Sequence, residues 1–275
     1  MRRQLLLCVL AALGGCQPAG DVAQALLLRQ CSDNDAPPAS VAAACTSLID
    51  APAGTPETIA FALGNRSLAR QKSRDLDGAL SDLNRLAELT PNVASVFGRR
   101  GVLHGMRGEF DAAARDLEAA IKLTPDIPEL HADLGTAYER GGKPERALPA
   151  YNRAIELDPT FAGAVGARCW VLAVLDRDLE QAIADCDRAL QLDPKDNNHY
   201  NSRGFVRFRQ KQYEQAIVDY DRSLAGAPVA SSFYMRGLAK RALGRNDEGD
   251  ADIARGKQLE PGIVERYAKF GVAPP

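Results

Sequence analysis

Aromatic residues are scarce, 6% of the 275 residues with a single tryptophan, which argues against the aromatic-rich strands of a β-sandwich or barrel. Histidine occurs three times, and His104, His131 and His199 show neither a His-x-x-x-His nor a carboxylate–histidine spacing. The sequence therefore indicates no metal site, no cofactor and little material for acid–base catalysis. Excess charge of either sign is missing: 34 basic against 36 acidic residues give a formal charge of −2, without the basic footprint that nucleic-acid binding needs. The apolar run from Leu5 to Leu13 is too short to stay in a bilayer as a spanning helix. What remains is a globular composition, 45% hydrophobic and 25% charged, rich in alanine, leucine, arginine and aspartate, the residues of helices.

Arg2 and Arg3 precede the Leu5–Leu13 run, the order of a basic region and an apolar core in an export signal. The run ends in Leu13-Gly14-Gly15-Cys16, which resembles the lipobox of bacterial lipoproteins. That resemblance implies cleavage after Gly15 and a diacylglycerol on Cys16, with Gln17 in place of Asp fitting outer-membrane rather than inner-membrane sorting. The alternative is an ordinary secretory signal cut near Ala19. Both place the mature chain outside the cytoplasm, in the periplasm, and loss of two arginines takes its formal charge to −4. Four cysteines then remain for an oxidising compartment: Cys31, Cys45, Cys169 and Cys186.

Prolines recur at Pro91, Pro125, Pro159, Pro194, Pro228 and Pro261, with spacings of 34, 34, 35, 34 and 33. A ladder of small residues (Ala79, Ala113, Ala147, Ala182, Ala216, Gly249) keeps the same spacings. A third ladder comprises Ser67, Gly101, Gly135, Cys169, Gly204 and Gly237, so the surplus residue of the fourth unit falls between Cys169 and Ala182. Within residues 128–161, His131, Leu134, Gly135 and Tyr138 keep helical spacing, Gly141-Gly142 breaks it, and Ala147, Tyr151, Ala154 and Ile155 resume it before Asp158-Pro159. Each unit reads as a helical hairpin, and because one hairpin cannot bury its own apolar stripe, the units must stack.

The order Gly135, Tyr138, Ala147, Tyr151, Ala154, Pro159 at this period resembles the tetratricopeptide repeat. The resemblance implies an all-α fold, a right-handed α-solenoid of six hairpins over residues 60–93, 94–127, 128–161, 162–196, 197–229 and 230–261. The first unit departs from the pattern at Ser67 and Arg70, and the sixth carries Gly249 and Gly256 where alanine is usual, which weakens its second helix. Residues 16–59 lack the ladders and read as helix, loop and helix tied through Cys31 and Cys45. Residues 262–275, with Ile263, Tyr267 and Phe270 at helical spacing, resemble the capping helix of such arrays.

In an antiparallel hairpin, Cys169 at the eighth position and Cys186 at the twenty-fourth face each other, so the expected bridges are Cys169–Cys186 and Cys31–Cys45. A redox couple is the alternative, without the Cys-x-x-Cys spacing that tunes a reactive thiol. Arginine stands at the seventh position of five units (Arg66, Arg100, Arg168, Arg203, Arg236) and aspartate at the twenty-third of the same five (Asp82, Asp116, Asp185, Asp219, Asp252). The third unit has Leu134 and Pro149 instead. Joint presence and absence point to a pair between helices, against a row of anion-binding arginines. Gly141-Gly142-Lys143-Pro144 lacks the preceding strand and the following Ser or Thr of a phosphate loop and reads as a turn.

The resemblance implies that the concave face holds a protein or peptide partner. On the last three units that face would present Trp170, Asn201, Phe205, Phe208, Arg209, Tyr234 and Arg241, the residue types that dominate hot spots. Two readings of Trp170 and Phe205 stand at this point: anchors facing solvent, or packing between units. The family's lysine–asparagine clamp for a terminal carboxylate is not reproduced. The expected function is an exported, lipid-anchored scaffold or adaptor without catalysis. The rivals are a carboxylate-based, carbohydrate-active envelope enzyme and a self-associating structural protein.

Overall fold

The computed structural model describes residues 19–52 and 54–273, and among them every regular element is an α-helix. Cys16 and the leader, on which the export reading rests, lie outside the described residues. The chain divides into two compact units, residues 1–107 and 108–275. The first holds α1 (Ala19–Cys31), α2 (Pro38–Ile49), α3 (Pro56–Lys72), α4 (Leu76–Leu89) and α5 (Ala94–Met106). The second holds α6 (Phe110–Leu123), α7 (Pro128–Arg140), α8 (Pro144–Leu157), α9 (Ala162–Val174), α10 (Leu179–Leu192), α11 (Asn197–Arg209), α12 (Tyr213–Leu224), α13 (Ala230–Ala242), α14 (Asn246–Leu259) and α15 (Ile263–Lys269). α3 starts at Pro56, ahead of the Ala60 at which the ladder opens its first unit.

Helix starts follow local chemistry. The side chains of Thr55, Asp75, Asp178 and Asp196 each accept a backbone N–H from the first turn of the helix that follows, and Pro56, Pro128 and Pro144 occupy first-turn positions where no donor is required. In the turns between α3 and α4, α5 and α6, α7 and α8, α9 and α10, α11 and α12, and α13 and α14, the residues Arg74, Gly108, Gly142, Asp176, Lys211 and Gly244 are left-handed, with φ between 52° and 78°. Three are glycine and three carry a Cβ that this conformation disfavours. The surplus residue of the fourth unit lies in its turn, where Leu175–Asp178 replaces the usual three residues and Asp178 (φ 44°) is left-handed as well.

The small-residue ladder admits specific neighbours. A Cβ at Gly135 would lie 2.6 Å from the Tyr151 ring, and one at Gly204 would lie 2.8 Å from the Tyr220 ring, so these glycines seat a tyrosine of the second helix. In the sixth hairpin a Cβ at Gly237 would meet the Gly249 carbonyl at 2.6 Å, a direct approach of two backbones. The glycines expected to weaken α14 instead let it pack closely on α13, and α14 runs unbroken over Asn246–Leu259; tertiary packing outweighs propensity here.

Both bridges are present, Cys31–Cys45 at 2.09 Å and Cys169–Cys186 at 2.00 Å, and all four cysteines are fully buried. Loops this short correspond to stabilisation of about 3 kcal/mol per bridge in the chain-entropy account.

The arginines of the seventh positions turn to the aspartates of the twenty-third. Arg66 reaches Asp82 at 2.6 Å, Arg168 reaches Asp185 at 2.7 Å, Arg203 reaches Asp219 at 2.7 Å and Arg236 reaches Asp252 at 2.6 Å. Arg100 and Asp116 fall on either side of the division into units; within its own unit Arg100 donates to Asn84 Oδ1 at 3.2 Å. A second cation one turn later, Arg70, Arg207 or Lys240, shares the aspartate in three of the four pairs. The remaining guanidinium nitrogen reaches back to the preceding hairpin: Arg168 to Asn152, Arg203 to Asp187 and Arg236 to Asp221. Arg66 does the same to Thr46 Oγ1 at 2.9 Å, so α2 stands to α3 as the second helix of a preceding hairpin. The pair Cys45-Thr46 thus matches Cys186-Asp187, each a bridge cysteine followed by the acceptor of the next hairpin's arginine.

Candidate partner-binding groove

The first helices α9, α11 and α13 lie side by side in the second unit, and the chain's own C-terminal segment lies against all three. Tyr267 of α15 sits between Phe205 of α11 and Tyr234 of α13, with ring centroids at 5.6 and 5.5 Å. Phe270 stands edge-on to Trp170 of α9 at 5.8 Å. Trp170 in turn stacks on Phe205 at 5.3 Å, completing an aromatic row.

This packing corrects two of the expected contact residues. Phe205 is 1% exposed and Tyr234 is 0% exposed, because α15 covers the face that an empty groove would leave open; both are core residues. Trp170 is half-buried, its indole Nε1–H donating to Glu139 Oε1 at 2.9 Å. Arg209 is drawn inward as well: its Nε–H donates to the Ala173 carbonyl at 3.1 Å, an Nη2–H donates to the Phe270 carbonyl, and its guanidinium lies 5.0 Å over the Phe205 ring. Burial holds the Arg209 pKa below the ordinary arginine range, partly opposed by Asp176 at 3.8 Å. Asn201 accepts from Ser232 Oγ at 3.0 Å, binding α11 to α13. Phe208 packs on Tyr213 at 5.4 Å, and Arg241, 40% exposed at its side chain, pairs with Asp250 at 2.8 Å. Trp170, Phe205, Arg209 and Tyr234 therefore meet around the C-terminal segment, while Phe208 and Arg241 take other partners.

Beyond Phe270 the space between α7, α8 and α9 opens into a cleft of about 290 Å³ lined by Glu139, Glu145, Trp170, Leu175, Lys269 and Phe270. Glu139 is the chemically distinctive residue. Burial pushes its carboxyl above the usual range, opposed by the hydrogen bonds it accepts from Tyr151 Oη at 3.2 Å and from Trp170, with Arg140 a lesser influence. Glu139, Tyr267 and Phe270 were not singled out as contact residues from sequence. The signal for the last two was present in the Ile263, Tyr267, Phe270 spacing, which shows an apolar stripe without saying where it docks.

His131 and His199 take no part in this site. His131 Nε2 lies 2.7 Å from the Pro125 carbonyl, and His199 is buried with its Nε2 3.8 Å from Asp196. Gly141–Lys143 is a turn, with Lys143 Nζ on Asp111 at 2.6 Å. No cluster of three or more potential metal ligands occurs among the described residues.

Residues 99–160 and 172–232 match the family described as tetratricopeptide repeat. Over 101 residues the chain is 31% identical to tetratricopeptide repeat protein 36 of Bos taurus, a stretch that is 35% of this chain and 54% of that protein; the chain thus spans about half the length of this curated relative. The fold is similar to that of a tetratricopeptide repeat protein from Parabacteroides merdae, with a TM-score of 0.71 at 16% identity, covering 91% of this chain and all of the other. It is also similar to PilW, described as a widely conserved type IV pilus biogenesis factor, with a TM-score of 0.64 at 15% identity over 74% of this chain and 94% of the other. The class these findings define is the all-helical repeat fold. Residues 99–160 and 172–232 are tetratricopeptide repeats, and the fold around them is similar to that of tetratricopeptide repeat proteins.

Proposed function

We propose that this protein is an exported, lipid-anchored scaffold that binds a protein or peptide partner in the bacterial cell envelope through the groove of α9, α11 and α13 and the adjoining cleft. The observation that carries the reading is the aromatic row Trp170–Phe205–Tyr234 with Arg209 beside it, mounted on rigid neighbouring helices and engaging a peptide segment. Rigid aromatic and arginine anchors are the groups that supply most binding energy at interfaces. The lipobox-like Leu13-Gly14-Gly15-Cys16 and the two bridges support export, since disulfides persist in oxidising compartments. PilW, with its similar fold, is a pilus biogenesis factor, which supports assembly of an envelope structure as the setting.

Glu139 and Glu145 line one cleft, and Glu139 has a raised pKa, the feature that favours the rival reading of a carboxylate-based, carbohydrate-active enzyme. Both Glu139 oxygens, however, accept hydrogen bonds from aromatic side chains, the buried Tyr151 and the half-buried Trp170, which positions the group as a structural acceptor. Pull-down from envelope extracts with the mature protein, against a Trp170→Ala/Leu175→Asp form, tests the binding reading. A protein retained by the wild type and lost by the variant supports it. Turnover of an envelope glycan, abolished by Glu145→Gln, would replace it with the enzymatic one.

A further inference from the structure

The C-terminal segment does more than close the last hairpin. A helix of seven residues does not hold its own shape in water, so α15 exists because the groove shapes it. It follows Pro261 and Gly262, where a Cβ at Gly262 would meet nothing within 4 Å, and its first residue, Ile263, is buried. From there the segment runs over three successive first helices, with Tyr267 on α13 and α11 and Phe270 on α9. Its main chain is gripped too, since Arg209 donates to the Phe270 carbonyl, a contact indifferent to the side chain that follows.

The fit is incomplete in two respects. Among the described residues, the buried side-chain polar atoms without a hydrogen-bond partner are the hydroxyls of Tyr220, Tyr234 and Tyr267 and Nε of Arg266, all in α15 or in the aromatic cluster it enters. Each polar group buried without a partner costs its desolvation. The groove also continues past the segment as the cleft of about 290 Å³, where the Glu139 carboxylate is held by neutral donors and Glu145 and Lys269 stand in the same lining.

We propose that residues 263–272 are an internal ligand of the α9–α11–α13 groove, and that the partner is a short helical peptide segment of the same chemistry which displaces them. It would carry two aromatic residues three apart, as Tyr267 and Phe270 are, and a basic residue next to the second, as Lys269 is, to face Glu139 and Glu145. A longer segment fills the cleft that the internal one leaves open. The proposal rests on the partner-binding reading above and adds the chemistry of the partner and the state of the free protein.

The test uses the full mature chain and a fluorescein-labelled peptide of residues 262–273. Tyr267→Ala/Phe270→Ala weakens the internal ligand and leaves the groove intact, so the peptide binds this variant at least tenfold tighter than the wild type, and a Lys269→Glu peptide binds it more weakly. Equal binding to both chains, or no binding to a variant whose helicity and melting temperature are unchanged, overturns the proposal. Hydrogen exchange of the wild type decides independently of the variant's fold. Amides of residues 264–272 exchange through local opening, well before the array unfolds; exchange only on global unfolding makes α15 a fixed cap and overturns the proposal. A concentration-dependent dimer lost in the double variant would make a second copy the occupant and overturn the assigned partner. Absence of any partner in cells, with the peptide result intact, counts against the scaffold reading and leaves the internal ligand standing.

Discussion

Asp219, 1% exposed, takes Arg203 and Arg207 together, while Arg203 also reaches Asp187 of the preceding hairpin. Burial opposes the charge on Arg203, yet the hydrogen bonds it donates to Asp219 and Asp187 outweigh it and raise the guanidinium pKa above its ordinary range. Asp219→Ala removes the carboxylate shared by two cations that are less than a quarter exposed, leaving Arg203 with Asp187 alone, and should lower unfolding free energy by about 3 kcal/mol, read by urea titration. Glu139 behaves in the opposite sense. Its folded pKa is raised by burial, so its contribution is fully present below the ordinary carboxylate range and lost as pH rises through the folded value. Glu139→Gln should therefore match or exceed the wild-type melting temperature at pH near 7, with the gap closing toward about pH 4. The arginine–aspartate pairs were legible in sequence because both partners recur at fixed positions and vanish together in the third unit. The burial of Phe205 and Tyr234 was not, because helical spacing assigns each to a face and the element covering that face comes from the far end of the chain.

At the scale of elements, the turns hold a substitution the fold invites. Lys211 has φ 59° where Gly108, Gly142 and Gly244 occupy the matching position of other hairpins. A left-handed residue with a Cβ costs about 1–2 kcal/mol, partly offset by the backbone entropy that glycine loses on folding. Lys211→Gly should raise stability by up to about 1 kcal/mol, seen as a higher urea midpoint without a change in slope. Gly204→Ala should do the reverse, since the added methyl lies 2.8 Å from the Tyr220 ring, and overpacking of this kind costs roughly 1–3 kcal/mol. The hairpin period and the surplus residue of the fourth unit could be read from the ladders alone. The hairpin-like relation of α2 to α3 could not, because α1 and α2 share no proline or small-residue ladder with the repeats. What marks it is Arg66 on Thr46, a contact with the spacing of no other unit.

For the whole molecule, two covalent staples and a groove are in place, and the export address is a proposal. If Cys16 carries lipid, labelled palmitate enters the wild type and not Cys16→Ser, which moves to the soluble periplasmic fraction; equal labelling of both would remove the anchor. The central claim is that a partner seats on the groove of the first helices and its cleft, and site-specific photocrosslinking in cells addresses it most directly. A photoreactive residue is placed at Leu175 or Glu145 in the cleft lining, with Lys122 of α6, an exposed second-helix position, as the control. The account predicts one adduct to an envelope protein from both cleft positions, absent from Lys122 and competed by the peptide of residues 262–273. Adducts from Lys122 alone, or cleft adducts that the peptide leaves untouched, would contradict it.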